Sequence, residues 1–410
     1  MPQRTLSDYK KIVGQNALEE IYLLAENLKG KHLKMVNSTA VGGGVAEILN
    51  RLVPFLNEVG VSTKWDVIKG NDAFFQVTKS FHNAIHGAEV EISQKMFDIF
   101  DEITESNLRD LTFDEDFIVI HDPQPAGLIK VKKQTKAKWI WRCHIDSSRP
   151  FMPVWDFLKK YVEKYDASIF SAPSFARALP IPQYMISPSI DPLSEKNQPI
   201  SKEYIHSVME KYQLDTSRPL VTQISRFDYL KDPVGVIDAY KLAKARVDCQ
   251  LVLAGGWASD DPESAQVLNE VKEHAGNDPD IHVLVLPPFS DLEINALQRA
   301  STIVLQKSLR EGFGLTVTEG LWKGKPVIAS AVGGIPLQIR HNVTGILVHS
   351  IEGTAYHIRN LIQNPEIAEA LGKVGKEHVR NKFLITRNLK DYLILLNIVS
   401  QPGKKVLELP

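Results

Sequence analysis

The chain has 410 residues, with 48 Lys and Arg against 49 Asp and Glu. A net charge of -1 gives no support to nucleic acid or an acidic membrane as the main partner. Hydrophobic residues make up 43% and charged residues 24%, the balance of a soluble globular protein, and the length exceeds one comfortable core, so two domains are expected. Cys143 and Cys249 lie far apart in apolar runs and read as buried free thiols, not as a disulfide or a metal pair. There is no apolar signal core and no run long enough to span a bilayer, so a cytoplasmic location is expected.

Residues 1–30 form an amphipathic helical prelude, with Leu18, Ile21, Tyr22 and Leu24 set to pack on the first domain. A strand at 33–39 leads into Gly42, Gly43 and Gly44. A helix follows with Val45, Ile48, Leu49, Leu52, Val53, Leu56 and Val59 on one face. Strand, glycine loop and helix start make an anion site; a tight turn needing positive φ is the plainer alternative. Glu47 stands where the dinucleotide fingerprint needs its third glycine, which disfavours a Rossmann dehydrogenase. After a strand at 63–68, the segment 71–109 is long and helical in composition, and reads as an insertion that shapes the acceptor side or an interface. Strands at 117–121 and 139–145 both end in polar residues: His121, Asp122 and Gln124 at the first, His144 and Asp146 at the second. Such groups at the carboxyl ends of strands can bind sugar hydroxyls, and a histidine beside aspartates can hold a defined tautomer; a satisfied structural histidine is the other possibility. A strand at 168–171 closes this half.

Residues 187–199 are rich in turn formers and lack periodicity, which sets a linker at 189–199 between domains at 1–188 and 200–383. The segment 384–410, with Leu and Ile at helical spacing, is expected to cross back and join the first domain. Strands in the second half fall at 220–225, 250–254, 282–286, 302–306, 326–329 and 345–348. The whole is α/β: two Rossmann-like doubly wound domains facing across a cleft at the carboxyl ends of their strands.

The second half carries the denser chemistry. Arg226 and Lys231 lie five apart across the loop after its first strand, a spacing that lets a planar fork and a point charge reach one pyrophosphate. Ala254-Gly255-Gly256 and Pro287-Pro288-Phe289 end the next two strands, where backbone and an aromatic ring can hold a base, or simply make turns. Val332-Gly333-Gly334 reads as structural. In Arg310-Glu311-Gly312-Phe313-Gly314-Leu315-Thr316-Val317-Thr318-Glu319, two carboxylates flank two glycines and a helix start. One carboxylate can face a sugar and the other a ribose, with free N–H groups and a positive dipole end between them for a diphosphate.

This set, in this order, resembles the retaining two-domain (GT-B) glycosyltransferases of the glycogen-synthase-like and sucrose-synthase-like group. The stretches at 36–49, 121–126, 139–146, 188–197 and 310–319 are similar to the archaeal and bacterial trehalose glycosyltransferring synthases, over nearly the whole chain. The resemblance implies transfer of glucose from a nucleoside-diphosphate glucose to free glucose, giving α,α-trehalose with retention, in a reaction able to run in reverse. It makes Glu311, His144 and Asp122 the catalytic set. Arg226, Lys231, Gly43, Gly44, Gly312, Phe313, Gly314, Leu315 and Thr316 would bind the donor's sugar and diphosphate, Glu319 the ribose, and Gln124, Asp122 and Gly42 the acceptor. No cofactor or metal is obligatory, and magnesium stimulation is left open. The implied partners are the nucleotide sugar, glucose and trehalose, without nucleic acid or membrane; a homodimer is compatible. The rivals are a glucosyltransferase making sucrose, trehalose phosphate or a glucan, a glycoside hydrolase, and a non-catalytic sugar-nucleotide sensor.

Overall fold

Runs of buried Val, Ile and Leu alternate with amphipathic helices. In the computed structural model, which describes residues 4–40, 43–256, 262–401 and 403, these runs assemble into two parallel sheets. The first sheet consists of β1 (His32–Asn37), β2 (Ser62–Val67), β3 (Phe117–His121), β4 (Lys138–Arg142), β5 (Ala167–Phe170) and β6 (Gln183–Met185). Its spatial order is β2-β1-β3-β4-β5-β6, with every pairing parallel. The second consists of β7 (Leu220–Ile224), β8 (Gln250–Gly256), β9 (Ile281–Leu286), β10 (Ile303–Gln306), β11 (Val327–Ser330) and β12 (Ile346–Val348). Its order is β12-β11-β10-β7-β8-β9, again parallel throughout. Central strands such as β3 and β7 are buried along their full length, as strands covered by helices on both faces must be.

Each order contains a point where the chain, having wound outward one way, returns to wind the other. In the first sheet this switch falls between β1 and β3, in the second between β7 and β10. At a switch the loops leaving two adjacent strands diverge to opposite faces, opening a crevice beyond the strand ends where α/β sheets bind ligands. The chain forms two compact units, Met1–Ser189 with Ile385–Pro410, and Ile190–Leu384, each holding one sheet.

The helix Gly43–Glu58 buries Ala46, Ile48, Leu49, Leu52, Phe55 and Leu56. Its buried stripe therefore runs through Ala46 and Phe55, while Val45 and Val53 sit at the margin. The helices Asp72–Ile85 and Gln94–Asp110, from the segment read as an insertion, are built into the first unit's core by an aromatic cluster. Phe97 stacks on Phe157 of the helix Met152–Val162 at 4.2 Å, and Phe81 and Phe100 pack around the same ring. The helix Ile385–Val399 lies on the helix Gln15–Ala25, where the Asn397 amide donates to the Leu24 carbonyl at 2.8 Å and Lys390 pairs with Glu20.

Three differences from the sequence reading have physical causes. The strand expected to run to residue 145 ends at Arg142, because the His144 N–H leaves the ladder for the Asp122 carboxylate at 2.7 Å. β6 is an unexpected strand: it is three residues long, close behind Pro180 and Pro182, and on the sheet edge, so it carries almost no pattern. Of the segment read as a linker, residues 190–199 belong to the second unit and are tied to it. Asn295 Nδ2 donates to the Glu195 and Gln198 carbonyls at 2.8 Å each, and buried Asn197 accepts from Lys323 at 2.9 Å. Among the described residues no helix is long and apolar enough to cross a membrane.

Candidate active site

In the first unit the polar strand ends meet at the switch point. β1 and β3 run side by side with Val36 opposite Ile120, which brings the Gly43–Glu58 helix start and the His121–Asp122 corner to adjacent strand ends. Gly43 has φ +77°, so the turn demands a glycine there; Gly44 follows in the first helical turn, and Gly42 lies outside the described residues. Asp122 is also left-handed, at φ +67°. Its N–H donates to the Arg142 carbonyl at 2.7 Å, its carbonyl accepts from Trp141 Nε1 at 3.0 Å, and its carboxylate holds the His144 N–H. The left-handed residue is thus fixed by three bonds to β4 and the loop after it, the over-determination that lets backbone strain persist. His144 Nε2 lies 3.0 Å from His121 Nδ1, with the two rings nearly parallel. Gln124 follows in the same loop, its Oε1 buried and without a partner among the described residues.

Beneath this corner lies Arg142, a fully buried guanidinium that donates to the Phe170 carbonyl and Ser171 Oγ. Sequence reasoning missed its role, for within an apolar strand it looks like an outward-facing charge. Burial pushes the Asp122 carboxyl up to about 7, against the opposing pull of the His144 N–H and the Arg142 charge. Burial, helped by Arg142, drives His121 down to about 3 and His144 well below the usual imidazole range. Both rings are therefore neutral at ordinary pH. Cys143 lies buried between them in sequence, its thiol pushed far up by burial, and is chemically inert.

In the second unit the loops after β7 and β10 interlock at the other switch point. Gln223, buried near the end of β7, donates to the Lys231 carbonyl and accepts from the Lys307 N–H, each at 2.9 Å. The Leu309 N–H donates to the Leu230 carbonyl at 2.8 Å, and Lys307 pairs with Asp232. These ties place Lys231 Nζ 2.6 Å from Glu311 Oε2. The same carboxylate oxygen accepts from Ser308 Oγ at 3.2 Å and Gln306 Nε2 at 3.3 Å. Arg226 is placed differently: its side chain is 66% exposed and, among the described residues, pairs with Asp228 alone, at 3.2 Å. The structure therefore brings Lys231 and Glu311 together and leaves Arg226 extended into solvent.

Gly314, at φ +82°, caps the helix Leu315–Trp322, and its absent side chain makes room for that of Glu311. The amides of Leu315 and Thr316 in the first turn have no acceptor within the helix, while Thr316 Oγ1 donates to the Ile224 carbonyl and ties the helix start to the end of β7. Phe313 is buried, and its carbonyl accepts from Gln338. Gly333 and Gly334 press on the opposite side of this turn: a Cβ on Gly333 would lie 1.6 Å from the Glu311 carbonyl oxygen, and one on Gly334 2.6 Å from that of Gly312. The glycine pair is a structural support, as its sequence suggested.

Glu319 is buried on the same helix. Gln298 Nε2 donates to it at 3.0 Å, and Lys196 lies 3.8 Å from its other oxygen and also 3.8 Å from Asp291. Asp291 is two residues beyond Phe289, a residue 91% exposed on a backbone of φ +65°. Gln306, Ser308 and Gln298 escaped the sequence reading because an amide or hydroxyl with no motif around it carries no signal, and Lys196 because it sits in a segment read as a linker. Only the polar run from 306 to 311 after an apolar strand hinted at Gln306 and Ser308. Among the described residues no group of three His, Cys, Asp or Glu is arranged to hold a metal ion.

Residues 35–177 match the family model described as trehalose synthase, N-terminal domain, and residues 206–378 match that for glycosyl transferases group 1. A trehalose synthase of Thermococcus litoralis is 44% identical over 400 residues, covering 96% of this chain and 97% of its own. The chain belongs to the trehalose synthase family of glycosyltransferases. A second relative, the trehalose synthase of Rubrobacter xylanophilus, is 40% identical, with 96% of each chain covered. Among solved structures, an α,α-trehalose-phosphate synthase (UDP-forming) from Burkholderia xenovorans in complex with glucose-6-phosphate aligns with a TM-score of 0.73. It is 13% identical, with 90% of this chain and all of that one covered, so it shows the shared fold. That fold is GT-B; the first switch-point cluster falls in the region matched by the trehalose synthase N-terminal model, and the second in the region matched by the glycosyl transferases group 1 model.

Proposed function

We propose that this glycosyltransferase moves glucose from a nucleoside-diphosphate glucose to the anomeric hydroxyl of free glucose, forming α,α-trehalose with retention. The observation that carries the donor assignment is the order of groups at the second switch point. Glu311 paired to Lys231, the free amides of a helix start, and buried Glu319 follow one another over nine residues. A sugar, a diphosphate and a ribose present their hydroxyls and charges in that same order. Arg226, exposed on the loop after β7, adds a second cation for the diphosphate. Asp122 and Gln124 in the first unit orient the acceptor, with His144 meeting the transferred glucose. The names of the relatives support trehalose as the product.

The chemistry follows from where charge develops. As the bond from the sugar C1 to the phosphate oxygen breaks, positive charge grows on the sugar and negative charge on the diphosphate. Lys231, Arg226 and the amides of Leu315 and Thr316 stabilise the departing side. The acceptor oxygen attacks C1 from the face the diphosphate leaves, and its proton passes to the departing phosphate oxygen. The new bond therefore keeps the α configuration, and the reverse reaction uses the same groups. One Glu311 oxygen is engaged by Lys231, Ser308 and Gln306, which suits the carboxylate to orient sugar hydroxyls and not to form a covalent intermediate. With these cations in place the proposal requires no metal.

Incubating the protein with ADP-, UDP- or GDP-glucose and free glucose tests this directly. The expected result is a non-reducing disaccharide whose formation depends on one or more of the nucleotide sugars. Trehalose formed instead from maltose alone, or from glucose 1-phosphate without nucleotide, would replace the donor assignment.

A further inference from the structure

His121 closes β3 almost completely buried, at 1% exposure, and its Nδ1 lies 3.0 Å from Nε2 of His144. Its other nitrogen, Nε2, is buried and has no partner among the described residues. Since burial and the Arg142 charge keep both imidazoles neutral, each ring carries one proton, and the short contact between them holds one hydrogen. Two arrangements satisfy it. If His144 donated from Nε2, His121 would carry its own proton on Nε2, a buried N–H with nothing to accept it. If His121 donates from Nδ1, its Nε2 is a bare lone pair and His144 must carry its proton on Nδ1. Orphaned buried N–H groups are rare and costly in folded proteins, so the second arrangement is favoured.

We propose that His121 is a positioning residue that fixes His144 in the Nδ1-protonated tautomer, so that His144 presents an N–H donor to the transferred sugar. The catalytic consequence rests on the reading of His144 as a sugar contact; the tautomer itself does not. His144 has little freedom to escape the arrangement, since its backbone N–H is held by Asp122 and its Nε2 by His121. It therefore acts as a fixed hydrogen-bond donor and not as a base.

The test uses the full chain labelled with 15N-histidine. A long-range proton–nitrogen correlation spectrum separates protonated from unprotonated ring nitrogens, with the His144 signals identified by their loss in His144→Gln. The inference predicts a protonated Nδ1 and an unprotonated Nε2 at His144, and a mixture of tautomers in His121→Leu. It also predicts that kcat falls about ten-fold in His121→Leu, the worth of one hydrogen bond. In His121→Asn, whose side-chain amide N–H can replace Nδ1–H, kcat should stay within about three-fold of the parent. A protonated Nε2 at His144 in the parent protein would overturn the inference, as would equal losses in the Leu and Asn variants. Absence of nucleotide-dependent transfer by the parent protein would instead sink the functional reading, and the spectrum would still decide the tautomer.

Discussion

Gly333→Ala is the sharpest structural perturbation available without touching a group proposed to meet substrate. An added Cβ would lie 1.6 Å from the Glu311 carbonyl oxygen, whereas real Cβ contacts do not fall below 3.0 Å, so the two backbones must separate by about 1.4 Å. The residue must also keep φ near +55°, which costs a side chain about 1–2 kcal/mol. Gly276→Ala isolates that second cost, since Gly276 sits at φ +64° with nothing within 4 Å of its added Cβ. Overpacking adds about 1–3 kcal/mol, so Gly333→Ala should lose about that much more than Gly276→Ala in urea denaturation. Because the backbone pushed aside is that of Glu311, a displacement on the order of 1 Å should also lower kcat about 100-fold, while Gly276→Ala keeps parental activity. Equal destabilisation in the two variants, with full activity in both, would refute the claim that the glycine pair sets the position of Glu311.

Asp122 binds a proton up to about pH 7 when folded but only up to about 3.8 when unfolded, so its contribution to stability falls as pH rises through that window. His121 and His144 act oppositely, losing stability as pH falls below the ordinary imidazole range, so the stability difference between the parent and Asp122→Asn, followed by urea midpoint, should isolate the carboxyl and shrink from pH 5 to 8. Arg226→Ala should weaken nucleoside-diphosphate binding about ten-fold, measured calorimetrically, with stability unchanged because the side chain is exposed. Lys231→Met should weaken the same binding and also destabilise the fold, since it leaves the Glu311 carboxylate without its cation. Gln298→Leu removes the amide that orients Glu319, and should raise KM for the nucleotide sugar several-fold with kcat nearly constant; a kcat effect alone would argue against the ribose assignment.

The fold was legible because long, fully buried strands such as β3 and β7 write their burial into unbroken apolar runs. β6 was not, since an edge strand of three residues buries too little to leave a pattern. The end of β4 was misread for a related reason: Cys143 and Ile145 are as apolar as a strand requires, and only the Asp122 carboxylate, from another strand's end, ends the ladder. Glu311 and Glu319 stood out because they flank two glycines and a helix start, and Lys231 because it lies five residues from Arg226 after a strand. The groups that hold them were silent. Gln298 and Gln306 gain meaning only when the fold brings their amides to a carboxylate from a different turn. Arg142 is the extreme case, a charge whose burial is invisible until β5 supplies the Phe170 carbonyl beneath it.

The central claim, glucosyl transfer from a nucleotide sugar to glucose with retention, is tested most directly by one NMR time course. The protein is supplied with a nucleoside-diphosphate glucose labelled with 13C at C1 and with unlabelled glucose. The account predicts that the label appears in the α anomeric position of trehalose while nucleoside diphosphate accumulates in equal amount. Label found only in free glucose, or in a β-linked product, would contradict it.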